Sequence, residues 1–256
     1  MSQRSVSIIK AFVNAYKPIR KVNFLYEAVR AVVWLYARVM LRMDIVRHAP
    51  LPKGPKIFTA NHPSFNDPFL IHLHSKMSVM ITHKAFAFPP FGFVLRKIEQ
   101  ISVSLGGDSL QQAIRRLQEG KSVGIFPEGA FSPLEGGFGK AHSGAARLAL
   151  STGASVIPIG IHLKRERMLR TNARGLPKVG FVYVRGPYAV TIGETMQFEG
   201  DVEDRALVNK VSEVIMDKIK LLALESEDRM LMKGRPMQII ADAIKKLVML
   251  NHLGLN

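Results

Sequence analysis

Apolar residues fall along this chain in two rhythms. Short continuous runs rich in Val, Ile and Phe alternate with longer segments whose apolar positions recur every three or four residues. The runs read as buried strands at Lys56–Ala60, Ser78–Thr82, Ile101–Leu105, Ser122–Phe126, Ser155–Leu163, Val179–Val184 and Ala189–Ile192. The periodic segments read as helices at Pro68–Ser75, Ser109–Glu119, Ser143–Ser151 and Val202–Leu224. Strands alternating with helices predict an α/β fold, a mixed, largely parallel sheet flanked by helices. The last two strands, joined by Arg185-Gly186-Pro187, read as an antiparallel edge ribbon.

The N-terminal segment has a different pattern. From Val22 to Val46 the polar residues Asn23, Glu27, Arg30, Arg38 and Arg42 form a narrow stripe on a helical surface otherwise carrying Phe24, Leu25, Val29, Val33, Trp34, Leu35 and Met40. So wide an apolar face demands cover, by protein or by lipid headgroups. Nine Lys or Arg stand in the first fifty residues against Glu27 and Asp44, which predicts an N-terminal amphipathic helix pair acting as an interfacial anchor. The apolar run Ala31–Ala37, closed by Arg30 and Arg38, is far short of the ~20 residues a spanning helix needs. Pro50–Pro55 is a turn-rich joint. A last amphipathic helix is expected over Pro236–Leu250, with Met237, Ile240, Ile244 and Leu247 on one face. The expected organisation is therefore anchoring helices over 1–49, an α/β domain over 50–225 and a C-terminal helix over 226–256.

Charge narrows the partners. Thirty-six Lys and Arg against 20 Asp and Glu give +16 and a pI near 10.2, a surface that draws anions: nucleic acid, an acidic leaflet, or acidic substrates and carriers. A nucleic-acid binder would interleave basic residues with exposed aromatics. Here the aromatics sit on apolar helix faces, and no nucleic-acid partner is expected. The absence of cysteine excludes disulfides and a Cys nucleophile. No secretory signal is expected, because no apolar segment ending in a small-residue cleavage site follows the basic N-terminus. No metal site is expected: His72 and His74, two apart on a helix, do not share a face.

Two strings carry chemistry, NHPSFND at Asn61–Asp67 and FPEGAFS at Phe126–Ser132, each directly after a strand. If those strands are parallel in one sheet, both strings sit on the edge where open α/β sheets place ligands. Pro63 and Pro68 disfavour helix at His62 and Asp67, which makes the six residues between them a compact turn. Asp67-Pro68 suits a helix start, and the carboxylate is also in reach of the imidazole. Such a pair is a general base for a hydroxyl attacking an acyl carbon. Glu128, at the other strand end, can bind acceptor hydroxyls or help place His62. The glycine-rich stretch through Gly136, Gly137 and Gly139, then Lys140 and a helix start near Gly144, offers N–H donors and a cation to a phosphate or oxyanion.

Together with the Val156–Ile161 strand, these strings resemble the phospholipid and glycerol acyltransferase family, the bacterial lysophosphatidic acid acyltransferases especially. The resemblance runs from about Lys56 to Ile192 and matches in order and spacing. It implies that His62 is the base and Asp67 its support, and that Glu128 helps bind the acceptor. Asn61, Gly129, Lys140 and Gly144 fall on motif positions and are expected at the substrate site. One departure stands out: the family's phosphate-binding Arg after the intervening strand is missing from Ile98–Ser109, where Ser104 and Gly106 stand. Arg96, Lys97, Lys140 or the cluster Lys164, Arg165, Arg167, Arg170 and Arg174 are candidate substitutes, with Lys140 and Arg165 expected at the substrate site.

The expected activity is acyl transfer from acyl-CoA or acyl-carrier protein, as co-substrate and with no cofactor, to a lysophospholipid hydroxyl, lysophosphatidic acid first. The alternatives are a different lysolipid, aminolipid or glycolipid acceptor, or a non-catalytic lipid binder, against which the intact His62, Asp67 and Glu128 argue. The expected location is peripheral or monotopic on an anionic membrane surface, at the cytoplasmic face. Phe86–Phe93 is a candidate wall for the acyl chain.

Overall fold

The computed structural model describes residues 24–171 and 180–234; the first helix of the expected N-terminal pair, the helix expected over Pro236–Leu250, and Arg174 lie outside them. The fold is α/β. Helix α1 (Phe24–Val39) precedes a sheet of seven strands in the order β1-β9-β6-β2-β5-β3-β4. These are β1 (Asp44–Arg47), β2 (Lys56–Ala60), β3 (Met77–Thr82), β4 (Ile101–Val103), β5 (Ser122–Ile125), β6 (Ser155–Leu163) and β9 (Tyr188–Ile192). All neighbours pair parallel except β6 with β9. The crossovers are α2 (Asp67–Leu70), α3 (His83–Phe86), α4 (Phe91–Lys97), α5 (Ser109–Gln118) and α6 (Gly144–Thr152), and α7 (Arg205–Gly234) closes the domain.

The strand pattern follows from burial on both faces. Every residue of β2 and β5 is buried, as expected for interior parallel strands. Successive side chains then point to opposite cores: Phe58 and Ile157 join one cluster under α1, while Ile57 and Val156 join the other under α5, α6 and α7. Helix α7 lies so close on β6 that a Cβ at Gly160 would stand 2.0 Å from the Ala223 backbone nitrogen.

Three expectations change. The helix read over Val22–Val46 stops at Val39, and Asp44–Arg47 forms an edge strand parallel to β9. A strand of four apolar-polar residues beside a helix carries too short a pattern to separate by periodicity. The ribbon expected across Arg185-Gly186-Pro187 does not form. Instead β8 (Gly180–Tyr183) pairs with β7 (Met168–Thr171), part of the basic cluster, in a separate two-stranded sheet, while β9 enters the main one. Gly186, at φ 140°, carries the chain between the two sheets. Helix α7 also runs unbroken through position 225, where its own Arg229 reaches Asp44 and the Val190 carbonyl.

Candidate active site

Because β2 and β5 are neighbours, the turns that follow them meet at one edge. The Asn61 side chain continues the β2–β6 ladder, donating to the Ile161 carbonyl at 2.8 Å and accepting the Ile161 N–H at 2.7 Å. With both polar ends engaged and 2% exposure, Asn61 holds the turn in place and is not open to substrate.

Of the two roles open to Asp67, helix start and partner of the imidazole, the structure shows the second: the side chain turns back into the loop. Oδ2 accepts the Ser64 N–H at 2.7 Å and the His62 Nδ1–H at 2.9 Å. Oδ1 accepts the Ser64 hydroxyl at 2.6 Å and the Tyr188 hydroxyl at 2.7 Å. The carboxylate is 0% exposed, and four donors fill its acceptor capacity. No side chain caps α2, whose preceding residue is Asn66. Burial, then the Asp67 charge, raises the Tyr188 hydroxyl well above its ordinary range, so it stays a donor.

This cage fixes the imidazole. An ionised carboxylate can only accept, so Nδ1 carries a proton and, in the neutral imidazole, Nε2 is the nitrogen left with the lone pair. The ring lies between Phe126, stacked at 4.2 Å between centroids, and Phe131 at 4.6 Å. Nε2 has no hydrogen-bond partner among the described residues. His62 lines a cavity of about 690 Å³ whose walls include Phe65, Phe69, Phe91, Met80 and Ile81.

Glu128 sits behind His62 and not in the cavity wall. Its Oε1 accepts the His62 backbone N–H at 3.0 Å and the Ser132 hydroxyl at 2.6 Å, and its Oε2 accepts the Gly139 N–H. At 3% exposure it ties the two motif loops together. A Cβ at Gly139 would come within 3.0 Å of Oε2, which explains a glycine there and removes one donor from the expected phosphate cradle.

The remaining expected residues divide. Gly129 and Gly144 line the cavity. Gly129 has φ 63°, and a Cβ on it would meet the His142 ring at 2.9 Å. Lys140 is exposed and outside the cavity. Arg165 also lies outside it: its guanidinium donates to the Pro133 and Gly137 carbonyls and so pins the glycine-rich loop. Burial lowers its pKa, opposed by the charges of Glu128, Glu227 and Glu135. Of Phe86–Phe93, Phe91 lines the cavity while Phe88 and Phe93 are exposed. Ser104 lines the cavity, as do Lys84, His83 and His142. Among the described residues no three carboxylate or imidazole groups converge as a metal site needs.

The sequence reading missed Ser64, Ser132, Tyr188, Phe131 and His142. Ser64 was legible in principle, three residues before Asp67 and within reach of a local turn. Tyr188 was not, since 121 residues separate it from Asp67.

Residues 42–162 match the family model described as Acyltransferase. The chain is 25% identical over 180 residues to the chloroplastic 1-acyl-sn-glycerol-3-phosphate acyltransferase of Arabidopsis thaliana, covering 68% of this chain and 50% of that protein. It is 27% identical over 143 residues to the lyso-ornithine lipid O-acyltransferase of Pseudomonas aeruginosa, covering 54% and 55%. The chain thus spans about half the length of the curated relatives it matches. The crystal structure of the 1-acyl-sn-glycerophosphate acyltransferase of Thermotoga maritima superposes with a TM-score of 0.56 at 20% identity, over 85% of this chain and 88% of that one, a likeness of fold.

Proposed function

We infer the reaction from kinship and geometry together: the chain belongs to the phospholipid and glycerol acyltransferase family, and we propose that it moves an acyl group from a thioester to the hydroxyl of a lysolipid. The observation that carries this reading is an imidazole with its Nδ1 proton locked on caged Asp67 and its Nε2 unpartnered at a large apolar cavity.

In the proposed reaction His62 Nε2 takes the acceptor's hydroxyl proton as the oxygen attacks the thioester carbonyl. The tetrahedral intermediate collapses, the C–S bond breaks, and the Nε2 proton passes to the departing thiolate. Asp67 supports the imidazolium between the two transfers without taking the proton. A base so placed contributes ~10²–10⁴-fold. The cavity wall beside His62 includes Ala130 and Phe131, whose backbone N–H groups hold no acceptor among the described residues; they are our candidates for the oxyanion. The aromatic and aliphatic walls suit an acyl chain, each buried methylene of which contributes about 0.8 kcal/mol.

The donor in this reading is acyl-CoA or acyl-carrier protein, and the first acceptor is lysophosphatidic acid. A second acceptor reading rests on a specific observation: the cavity wall at Ser104 has no Arg, Lys140 and Arg165 lie outside it, and Lys84 is the one Lys or Arg among its described lining residues. So sparse a positive charge favours a lysolipid without a phosphomonoester, such as an aminolipid. We also propose that α1 seats the enzyme on an anionic leaflet. It leaves Phe24, Val32, Trp34, Leu35 and Val39 more than half exposed, and no described helix is long and apolar enough to cross a membrane.

The test incubates the full chain with labelled acyl-CoA, or acyl-carrier protein, and a panel of lysolipids, followed by lipid extraction. Labelled diacyl product from wild type, lost in His62→Ala with the fold intact, supports the reading; undiminished product in His62→Ala overturns the assignment of the base.

A further inference from the structure

A second cavity, of about 520 Å³, opens where the C-terminal end of α1 meets β1, the start of β9 and the segment after β6. Arg38, Arg42, Lys164, Arg167 and Lys233 line it, against Asp44 as its one carboxylate. Asp44 is already committed: its oxygens hold Lys233 at 2.6 Å and Arg229 at 3.2 Å, and those cations keep its carboxyl below the usual range despite the opposing effect of burial. Arg38, Arg42, Lys164 and Arg167 have no carboxylate within ion-pair distance among the described residues. Four guanidinium and ammonium groups around one cavity, none with an ion pair of its own, repel one another. The α1 C-terminus offsets about half a charge, too little to balance them.

The backbone reinforces this arrangement. Arg42 has φ 43°, a left-handed conformation that glycine or asparagine adopts with less strain after a helix. Strained backbone persists where the surrounding structure fixes it, and here it holds one of the four cations on the cavity wall. A volume of 520 Å³ is that of a small-ligand pocket.

We propose that this cavity is a binding site for a phosphate-bearing anion, separate from the cavity at His62. Guanidinium groups pair bidentately with phosphate oxygens, and a dianion neutralises the cluster most fully. The source we commit to is the headgroup of an anionic membrane lipid, because Arg38 shares α1 with the exposed apolar residues Leu35 and Val39. An acidic protein partner fits less well, since a concave pocket of this size admits a headgroup and not a helix face. The site also adjoins the machinery of the first cavity: Tyr188 is among its lining residues, and the Tyr188 hydroxyl donates to Asp67.

The experiment measures binding and needs no turnover, so its outcome is independent of the acyl-transfer reading. The full chain is partitioned onto phosphatidylcholine vesicles with and without phosphatidic acid, and titrated separately with inorganic phosphate by calorimetry at low salt. Arg38→Gln/Arg42→Gln and, on a different element, Lys164→Gln/Arg167→Gln are compared with Arg205→Gln/Lys210→Gln, an equal charge change on exposed α7 residues. The expected result is that either cavity pair lowers the phosphatidic-acid increment about 25-fold, roughly five-fold per cation, while the control pair changes it less than about three-fold, within that per-cation scale. Phosphate binding lost in the same variants identifies phosphate itself as the ligand. Vesicle binding without phosphate binding identifies the lipid headgroup. Equal losses in cavity and control pairs, or no loss in either cavity pair, overturn the proposal.

Discussion

Replacing Asp67 by Asn isolates what the carboxylate charge does. Four donors converge on this side chain, two on each oxygen. An amide must place its NH₂ where one oxygen was. At Oδ2 it would face the Ser64 N–H and the His62 Nδ1–H, and the backbone donor cannot turn away. At Oδ1 it faces the Ser64 and Tyr188 hydroxyls, which can rotate and accept. The second orientation wins, so the His62 tautomer survives and only the charge is lost. Tautomer reversal in a Ser-His-Asp triad costs ~10⁴ in kcat. Here the loss is the difference between a charge-assisted and a neutral hydrogen bond to the developing imidazolium, about 1–1.5 kcal/mol, or roughly ten-fold at 1.4 kcal/mol per decade. Stability falls by about 1–3 kcal/mol as charge-assisted bonds from Ser64 and Tyr188 are exchanged for neutral ones. Asp67→Ala is a poorer probe, because it strands buried donors and empties a packed site. The assay is thiol release with a saturating lysolipid, joined to ¹⁵N NMR of the labelled histidine. A kcat within three-fold of wild type, or an Nε2–H tautomer in a variant that still turns over, would refute the reasoning.

Three further outcomes follow from the same structure. Tyr188→Phe removes one buried charge-assisted hydrogen bond and costs about 1.5–3 kcal/mol by denaturant titration, with a smaller fall in kcat than Asp67→Asn; unchanged stability would mean that the hydroxyl does not hold Oδ1. Gly160→Ala drives a Cβ into the Ala223 backbone and costs about 3 kcal/mol or more, so a denaturation midpoint equal to wild type would contradict the α7–β6 contact. Burial lowers His72 and His74 to about 4 from 6.5. The unfolded chain therefore binds more protons than the folded one between those values, and stability must fall as pH drops from about 6.5 to about 4. Denaturation midpoints that stay level between pH 7 and pH 5 would show that these imidazoles are not buried neutral.

The strands of the main sheet's centre and the helices against them were legible because both-sided burial leaves nearly continuous apolar runs, as in Lys56–Ala60 and Ser122–Ile125. The two motif turns were legible for the same local reason: each follows such a run and is shaped by Pro63, Pro68, Pro127 and Gly129. From that spacing alone His62, Asp67 and Glu128 could be brought to one sheet edge. What those side chains do there was not local information. Asp67 reads as a helix cap in one dimension, and only Tyr188, arriving from the antiparallel strand β9, shows that its oxygens are already filled. Glu128 reads as an acceptor ligand or as a support for His62, and only the closure of Ser132, Gly139 and the His62 N–H over its oxygens selects the second. Lys140 and Arg165 look alike as spare cations, but one points to solvent and the other clasps loop carbonyls. Sequence pattern records whether a residue is buried and on which face, because that depends on hydrophobicity and period. Which donor fills which acceptor depends on contacts between segments a hundred residues apart, and those exist only once the sheet order has been set.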